Sequence, residues 1–402
     1  MRLWLILSLA AGITAGSEDP ISQIRFLVAQ RTERIPNYTC LETIDRHWYA
    51  SDHEGSLVRD RMRFEVSVVE GKEQFAWPGG SPLDVHERQQ ILGRGLTKTG
   101  DFAGFLSAVF APYAATYTLV GEQASGPRRT IRYDYRVPQE SSRYSITQNG
   151  VTVAVAFHGS FWVDPETLDL TRVELNADNL PQAFKRRSAR IAIDYGLVAV
   201  GTGNFLLPQF TDVRTVTDRN LENRTTTRFS ECRQFLAESS ISFEEKPVEQ
   251  AAKQTDAREA LPPGTTLEAT LATPVLRNTA ATGDLVKAEV RKEVKSKNGV
   301  VVPQGAIVEG RIVLLETRGF TQTADVLTVR FTKLRIGTSE VGLWARLVGC
   351  GKGYRSGFAG ILPVGGLVRY VNSQGMMLFW GGFQELPKGL ALTLQTEAVP
   401  PR

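Results

Sequence analysis

The sequence predicts a mainly β or α+β protein, in which a long antiparallel meander with two helices is followed by a small β-barrel. Three observations lead there. Apolar residues alternate with polar ones at period two through much of the chain from Tyr38 onward. Helical spacing of apolar residues is confined to residues 17–35 and 101–110. Beyond residue 260, three segments share the pattern apolar-Pro-x-Gly-x-x-apolar, each a tight turn feeding a strand.

The chain has 402 residues, 42% of them apolar and 22% charged. That balance is globular and excludes a disordered or collagen-like chain. At about 150 residues per domain, it allows two or three domains. The net charge of +4 is uneven: from residue 261 on there are 17 Lys and Arg against 10 Asp and Glu, or +7, leaving −3 for residues 1–260.

Residues 1–16 read as a signal peptide. Met1-Arg2 precedes an apolar run over residues 3–13, then the small residues Thr14, Ala15 and Gly16. Cleavage is expected after Ala15 or Gly16. The rival reading, a membrane anchor, meets a run well short of the ~20 residues that span a bilayer. No cysteine lies near the cut, so no lipid-modified terminus is expected. No later stretch reaches 18 uninterrupted apolar residues, so no transmembrane helix is expected in the mature chain. The protein is expected to be exported, to the periplasm or in association with the outer membrane.

Export places Cys40, Cys232 and Cys350 in an oxidising compartment, where any of three pairs, or none, could form. Cys40 begins the first expected strand and Cys232 follows the last strand of the same region. The favoured disulfide is therefore Cys40 with Cys232, leaving Cys350 single.

Residues 17–240 are expected to form the first domain. Ser17 is a plausible N-cap for the first helix, and Ile21, Ile24, Leu27 and Val28 form its apolar stripe. After Pro36, the residues Tyr38, Cys40 and Glu42, then Met62, Phe64, Val66 and Val68, alternate as half-buried strands do. The second helix has Asp101 as its cap and is ended by Pro112. Strands are expected over 116–120, 130–137, 143–147, 151–157, 161–163, 170–175, 189–195, 210–217 and 224–229. Residues 241–260 are polar and charged and read as a linker.

Residues 261–402 are expected to form the barrel. Its three turns are Leu261-Pro262-Pro263-Gly264, Val302-Pro303-Gln304-Gly305 and Leu386-Pro387-Lys388-Gly389. Each reads as a type I turn with Pro at its second position and Gly at its fourth.

Two resemblances follow from specific residues. Gly264-Thr265, Leu271-Ala272-Thr273-Pro274, Gly283-Asp284 and Val302-Pro303-Gln304-Gly305-Ala306 occur in the order found in the β-barrel of the conjugal-transfer and type IV secretion channel-scaffold family, which this part resembles. That family's proline-rich arm and inner-membrane helix have no counterpart here. The segment Phe161-Trp162-Val163-Asp164-Pro165-Glu166-Thr167 is similar to a hairpin of the periplasmic lipoprotein-carrier, or lipoprotein-sorting, family. That resemblance implies a helix followed by a strongly curved antiparallel half-barrel that holds acyl chains. Trp77, Phe105 and Trp162 are the residues expected to line such an apolar site.

No motif identifies a reaction, and no catalytic, cofactor or metal site is expected. His47 and His53 flank Tyr49, Asp52 and Glu54, but lack the spacing that sets two ligands on one helical face. Ser81, Asp84 and His86 have the residue types for acyl transfer without the G-x-S-x-G pattern. Residues 349–353 satisfy neither phosphate-loop motif. The basic runs Lys185-Arg186-Arg187 with Arg190, and Arg291-Lys292 with Lys295 and Lys297, lack interleaved aromatics, so nucleic acid is not an expected partner. Residues 358–383 carry two apolar blocks, each too short to span a membrane, that read as barrel core or as a peripheral membrane contact.

The expectation is a non-enzymatic envelope protein that binds an apolar ligand, a lipid or lipoprotein, or a partner segment. A structural component of an envelope or secretion-type assembly is the alternative, and a cryptic hydrolase the second alternative.

Overall fold

The computed structural model describes residues 19–50, 56–80, 82–84, 91, 102–113, 115–125, 128–148, 151–235, 261–296, 299–319, 323–351, 369–371 and 375–398. The leader, the linker, His53, Ser81, His86 and Asp101 fall outside them. Most of the structure is strand, 64%.

Helix α1 (Pro20–Glu33) begins with Pro at its first position, where the missing N–H costs nothing, and Asp19 accepts from the Ile21 N–H at 3.3 Å. Asp19, not Ser17, is the cap. Ile24 and Val28 are its buried residues. Helix α2 (Phe102–Phe110) lies against α1, and Arg25 Nε of α1 donates to the Phe110 carbonyl at 3.1 Å, satisfying one of the open carbonyls at the α2 terminus.

Twelve strands follow among the described residues before position 236: β1 (Tyr38–Ala50), β2 (Ser56–Val69), β3 (Lys72–Ala76), β4 (Thr116–Ser125), β5 (Arg128–Val137), β6 (Ser145–Gln148), β7 (Val151–Ala154), β8 (Phe157–Val163), β9 (Leu170–Ala177), β10 (Arg186–Val200), β11 (Gly203–Thr217) and β12 (Leu221–Gln234). Strands β6 and β7 form a separate hairpin. The other ten pair antiparallel in the order β3-β2-β1-β12-β11-β10-β9-β8-β5-β4.

This sheet carries both helices on its inner face. Ile24, Val28, Phe105 and Val109 share one core with Phe161, Val173, Ile191 and Val213. The stacked pair Tyr133–Phe161, 5.1 Å between centroids, and the edge contact Phe110–Phe161 at 5.0 Å fix how α2 sits on β5 and β8. Arg31 of α1 pairs with Asp169 in the turn between β8 and β9, with Nε to Oδ1 at 3.0 Å.

The hairpin β10–β11 is longer than its sequence suggests. Gly196 and Pro208 look like strand ends, yet the register shifts between Asp194 and Tyr195, which face Phe210 and Pro208 respectively. The extra residue, Gln209, is a β-bulge, a place where a strand accepts proline and bends.

In the C-terminal part the strands are β13 (Thr266–Leu271), β14 (Val275–Leu276), β15 (Leu285–Val290), β16 (Val294–Ser296), β17 (Gly299–Val302), β18 (Ile307–Arg318), β19 (Ala324–Ile336), β20 (Ser339–Cys350), β21 (Arg369–Val371), β22 (Met376–Trp380), β23 (Glu385–Leu386) and β24 (Ala391–Thr396). Six of them close on themselves in the order β13-β15-β18-β19-β20-β24-β13. The result is an antiparallel barrel filled by Leu267, Ala288, Val308, Leu327, Ala345 and Leu394 among others.

The three Pro-x-Gly turns start β13, β18 and β24, as their sequence suggests, but their type differs. Thr265, Ala306 and Leu390 donate to the carbonyls of Pro262, Pro303 and Pro387, so proline is first and glycine third. The glycines have φ of +91°, +84° and +83°, the third-position conformation of a type II turn and not of type I.

The sheet and the barrel share a strand edge. One end of β2 pairs with β3, while Val58, Arg59 and Asp60 at its other end pair with Arg318, Thr317 and Glu316 of β18. Beside that edge, the Arg63 N–H donates to the Thr282 carbonyl and the Thr282 N–H to the Arg61 carbonyl, at 2.8 and 2.9 Å.

Candidate functional site

Two concavities stand out among the described residues. The larger, about 660 Å³, lies between β1–β2 and the barrel and is lined by Asp45, His47, Arg59, Arg61, Arg277 and Glu385 among others. Its charges are largely matched: Arg61 Nε to Asp45 at 2.7 Å, and Arg277 Nε to Asp325 at 3.0 Å. His47 stacks on Tyr49 at 5.9 Å, and burial holds its imidazole below the usual histidine range. No group of three metal-ligating side chains occurs among the described residues.

The second cavity, about 290 Å³, lies on the inner face of the ten-stranded sheet beneath the C-terminal end of α1. Its apolar walls come from separate elements. Ile35 follows α1, Leu106 belongs to α2, Leu206, Leu207 and Pro208 to β11, and Val68 to β2. The β11 bulge is what turns Pro208 to face Tyr195. A narrow extension reaches Cys40, Val66 and Phe229.

Polar groups meet where the cavity and its extension join. Tyr38 and Glu73 line both, and Tyr195 lines the main cavity. On β1 the side chains of Tyr38, Cys40, Glu42 and Ile44 alternate onto the same buried face. Glu42 stands opposite Phe64 of β2 and Phe229 of β12 and is fully buried. Neither of its carboxyl oxygens, nor the Tyr195 hydroxyl, has a hydrogen-bond partner among the described residues. Burial, and then the neighbouring Glu73, pushes the Glu42 carboxyl well above the usual carboxylate range. Burial also raises Tyr38, with Glu73 and Glu42 adding to it, and raises Tyr195, with Tyr38 adding to it. Such an apolar cavity with a few convergent polar groups is the usual form of a small-molecule site.

The disulfide Cys40–Cys232 is formed, with an S–S distance of 2.00 Å, and joins β1 to β12 next to the narrow extension. Cys350 is buried at the end of β20, outside the disulfide.

None of the three aromatic residues expected to line an apolar site is among the described lining of this cavity. Phe105 is closed within the core beside Leu106, the residue that does reach the cavity. Trp77 stacks on Phe64 at 5.0 Å, near the barrel. Trp162 alternates with the core residues Phe161 and Val163 and so takes the other face of β8, between Arg132 and Arg172 at 5.6 and 5.9 Å. Sequence reading selected bulky aromatics and missed Tyr38, Glu42, Glu73 and Tyr195. The signal available was Glu42, a charged residue in an otherwise apolar alternation.

Several other residues singled out in the sequence have structural settings. His158 lies within β8 rather than in a turn, 2.8 Å from Asp178. Arg190 pairs with Glu174, Lys292 with Glu268 and Lys295 with Glu293, three of the eight basic residues in the two runs; Lys297 is outside the described residues. Of residues 358–383, positions 358–368 and 372–374 are outside the described residues. Met377, Phe379 and Phe383 are buried in the barrel core, and Trp380 is exposed. No described helix is long and apolar enough to cross a membrane.

No family model matches the chain, and no curated protein matches it. Among solved structures it is similar to a LolA superfamily protein from Nitrosomonas europaea, at 12% identity and a TM-score of 0.27, over 54% of this chain and 94% of that one. It is also similar to a DUF1329 family protein from Desulfovibrio piger, at 12% identity and a TM-score of 0.29, over 56% and 98%. A third likeness is to a domain from Vibrio parahaemolyticus described as that of an outer membrane lipoprotein-sorting protein, at 10% identity and a TM-score of 0.30, over 56% and 95%. Likenesses at this level assign no family.

Proposed function

We propose that this is an exported, non-enzymatic envelope protein that holds an apolar ligand, a lipid or the acyl part of a lipoprotein, between α1 and the ten-stranded sheet. In this reading residues 1–16 are removed, residues 17–240 bind the ligand, and residues 261–402 form a barrel for interaction with an envelope partner. The observation that carries it is the cavity of about 290 Å³ walled by Ile35, Val68, Leu106, Leu206 and Leu207. Its volume is near the lower end of the ~300–1,000 Å³ typical of ligand sites. Apolar walls favour a hydrocarbon tail at roughly 0.8 kcal/mol per buried CH₂. Organic-solvent extraction of the purified protein, followed by mass spectrometry, tests the reading. A long-chain compound present at near one per protein supports it, and a clean extract from protein that also takes up no added lipid refutes it.

A further inference from the structure

Tyr195 is only 6% exposed and lines the cavity, and its hydroxyl has no hydrogen-bond partner among the described residues. Two other tyrosines of this sheet are satisfied: Tyr135 donates to the Glu174 carbonyl at 2.8 Å and Tyr117 to the Val109 carbonyl at 2.7 Å. The β11 bulge sets Tyr195 across from Pro208, and Leu106, Leu206 and Leu207 share that wall of the cavity. None of these four side chains can accept a hydrogen bond. The described lining of the cavity and its extension contains no lysine, arginine or histidine. A fatty-acid carboxylate or a phosphate would be buried here with no cation to pair, a far larger cost than burying a neutral carbonyl. An alcohol would accept from Tyr195 but bring a further donor to satisfy, whereas an ester carbonyl accepts and brings none.

Resting on the proposed binding of an apolar ligand, we infer that the ligand is an ester-linked acyl chain: its carbonyl oxygen accepts from the Tyr195 hydroxyl, and its hydrocarbon lies on Leu106 of α2 and on Leu206 and Leu207 of β11. Binding thereby satisfies a buried donor that folding alone leaves unsatisfied. Phospholipids and the diacylglyceryl end of a lipoprotein share this ester.

Calorimetry of the mature chain at pH 7 with dodecanoylglycerol, its ether analogue dodecylglycerol and dodecanoate tests this, because the first two differ only in the carbonyl oxygen. The ester is expected to bind about three- to tenfold tighter than the ether, as one neutral hydrogen bond allows, and tighter than dodecanoate. In Tyr195→Phe the ester falls to within about twofold of the ether, whose own affinity stays the same. Unliganded Tyr195→Phe keeps or raises the urea midpoint of the wild type; a lower midpoint would show the hydroxyl bonded within the protein and overturn the site. In the wild type, independently of any variant, the infrared stretching band of an isotope-labelled ester carbonyl moves to lower frequency on binding. Equal affinity for ester and ether, tighter dodecanoate, or an unshifted carbonyl band would overturn the ester site while leaving lipid binding standing. If none of the three compounds binds, the binding function fails and the ester site fails with it. Lysophosphatidylcholine and a peptide with a diacylglyceryl cysteine, each against its ether-linked form, distinguish the two sources of such a group. Preference for the ester form of either supports the site, and preference for neither overturns it.

Discussion

The Arg63 guanidinium on β2 pairs with the carboxylate of Asp284, 221 residues further along the chain, at the place where the ten-stranded sheet meets the barrel. The same carboxylate accepts from the Ala281 N–H at 2.9 Å, and Arg311 Nη1 of β18 donates to the Gly283 carbonyl at 2.8 Å. The contact is therefore built from backbone as well as charge. Together with the β2–β18 pairing it makes the two sheets mechanically continuous.

Gly283 is the position most sensitive to substitution in that contact. Its φ is +104°, and a Cβ there would strike the Arg63 carbonyl oxygen and approach Trp77 Cε3 to 2.7 Å. Gly283→Ala is expected to cost about 2–4 kcal/mol, combining backbone strain with overpacking. Calorimetric unfolding should split into two transitions in the variant, one for each sheet.

Gly305 provides the contrast. Its φ of +84° is also positive, but a Cβ there would meet nothing within 4 Å. Gly305→Ala therefore carries only the backbone cost, about 1 kcal/mol. A denaturant midpoint shifted slightly, with the slope unchanged, is the expected result.

The disulfide closes a sequence separation of 192 residues. The chain-entropy model assigns a loop of this size about 5 kcal/mol, and native disulfides commonly deliver about 2–5. Cys40→Ser with Cys232→Ser should lower stability by that order. Unfolded, unreduced wild-type protein should titrate one thiol, from Cys350, and three after reduction.

Glu42 makes stability depend on pH in a definite direction. An unfolded glutamate loses its proton near pH 4.5, while burial keeps the folded one protonated well above that. Over that window the folded state binds more protons. Its stability is full below pH 4.5 and declines as pH rises, by up to about 1.4 kcal/mol per pH unit, until the folded carboxyl ionises. Glu42→Gln removes this slope. Urea unfolding should find the variant more stable than wild type at pH 8 and within about 0.5 kcal/mol of it at pH 4.

How far the sequence could be read depends on whether the signal is local. The alternation from Tyr38 through Val68, the two helices and the starts of β13, β18 and β24 follow from side-chain period and turn residues, and all are present in the fold. The Cys40–Cys232 disulfide was legible because the two residues mark the ends of one meander. The length of β10–β11 was not, since a bulge at Gln209 makes Pro208 compatible with a strand only through pairing with a distant partner. The cavity was hidden for a similar reason. Its walls come from α1, α2, β1, β2 and β11, and the bulky aromatics that looked suited to it fill the core, stack near the barrel or face outward. Nothing in the local sequence of Glu42 says that Glu73 and Tyr195 share its surroundings.

The most direct measurement is a crystal structure with a twelve-carbon amphiphile brominated at the end of its tail, located by anomalous scattering. Lipid binding on the inner face of the ten-stranded sheet places the bromine signal beside Leu106, Leu206 and Leu207, and Leu207→Trp removes it. Full occupancy of the charged cleft at Asp45 and Arg277 instead, or no ordered bromine at saturating ligand, would contradict it.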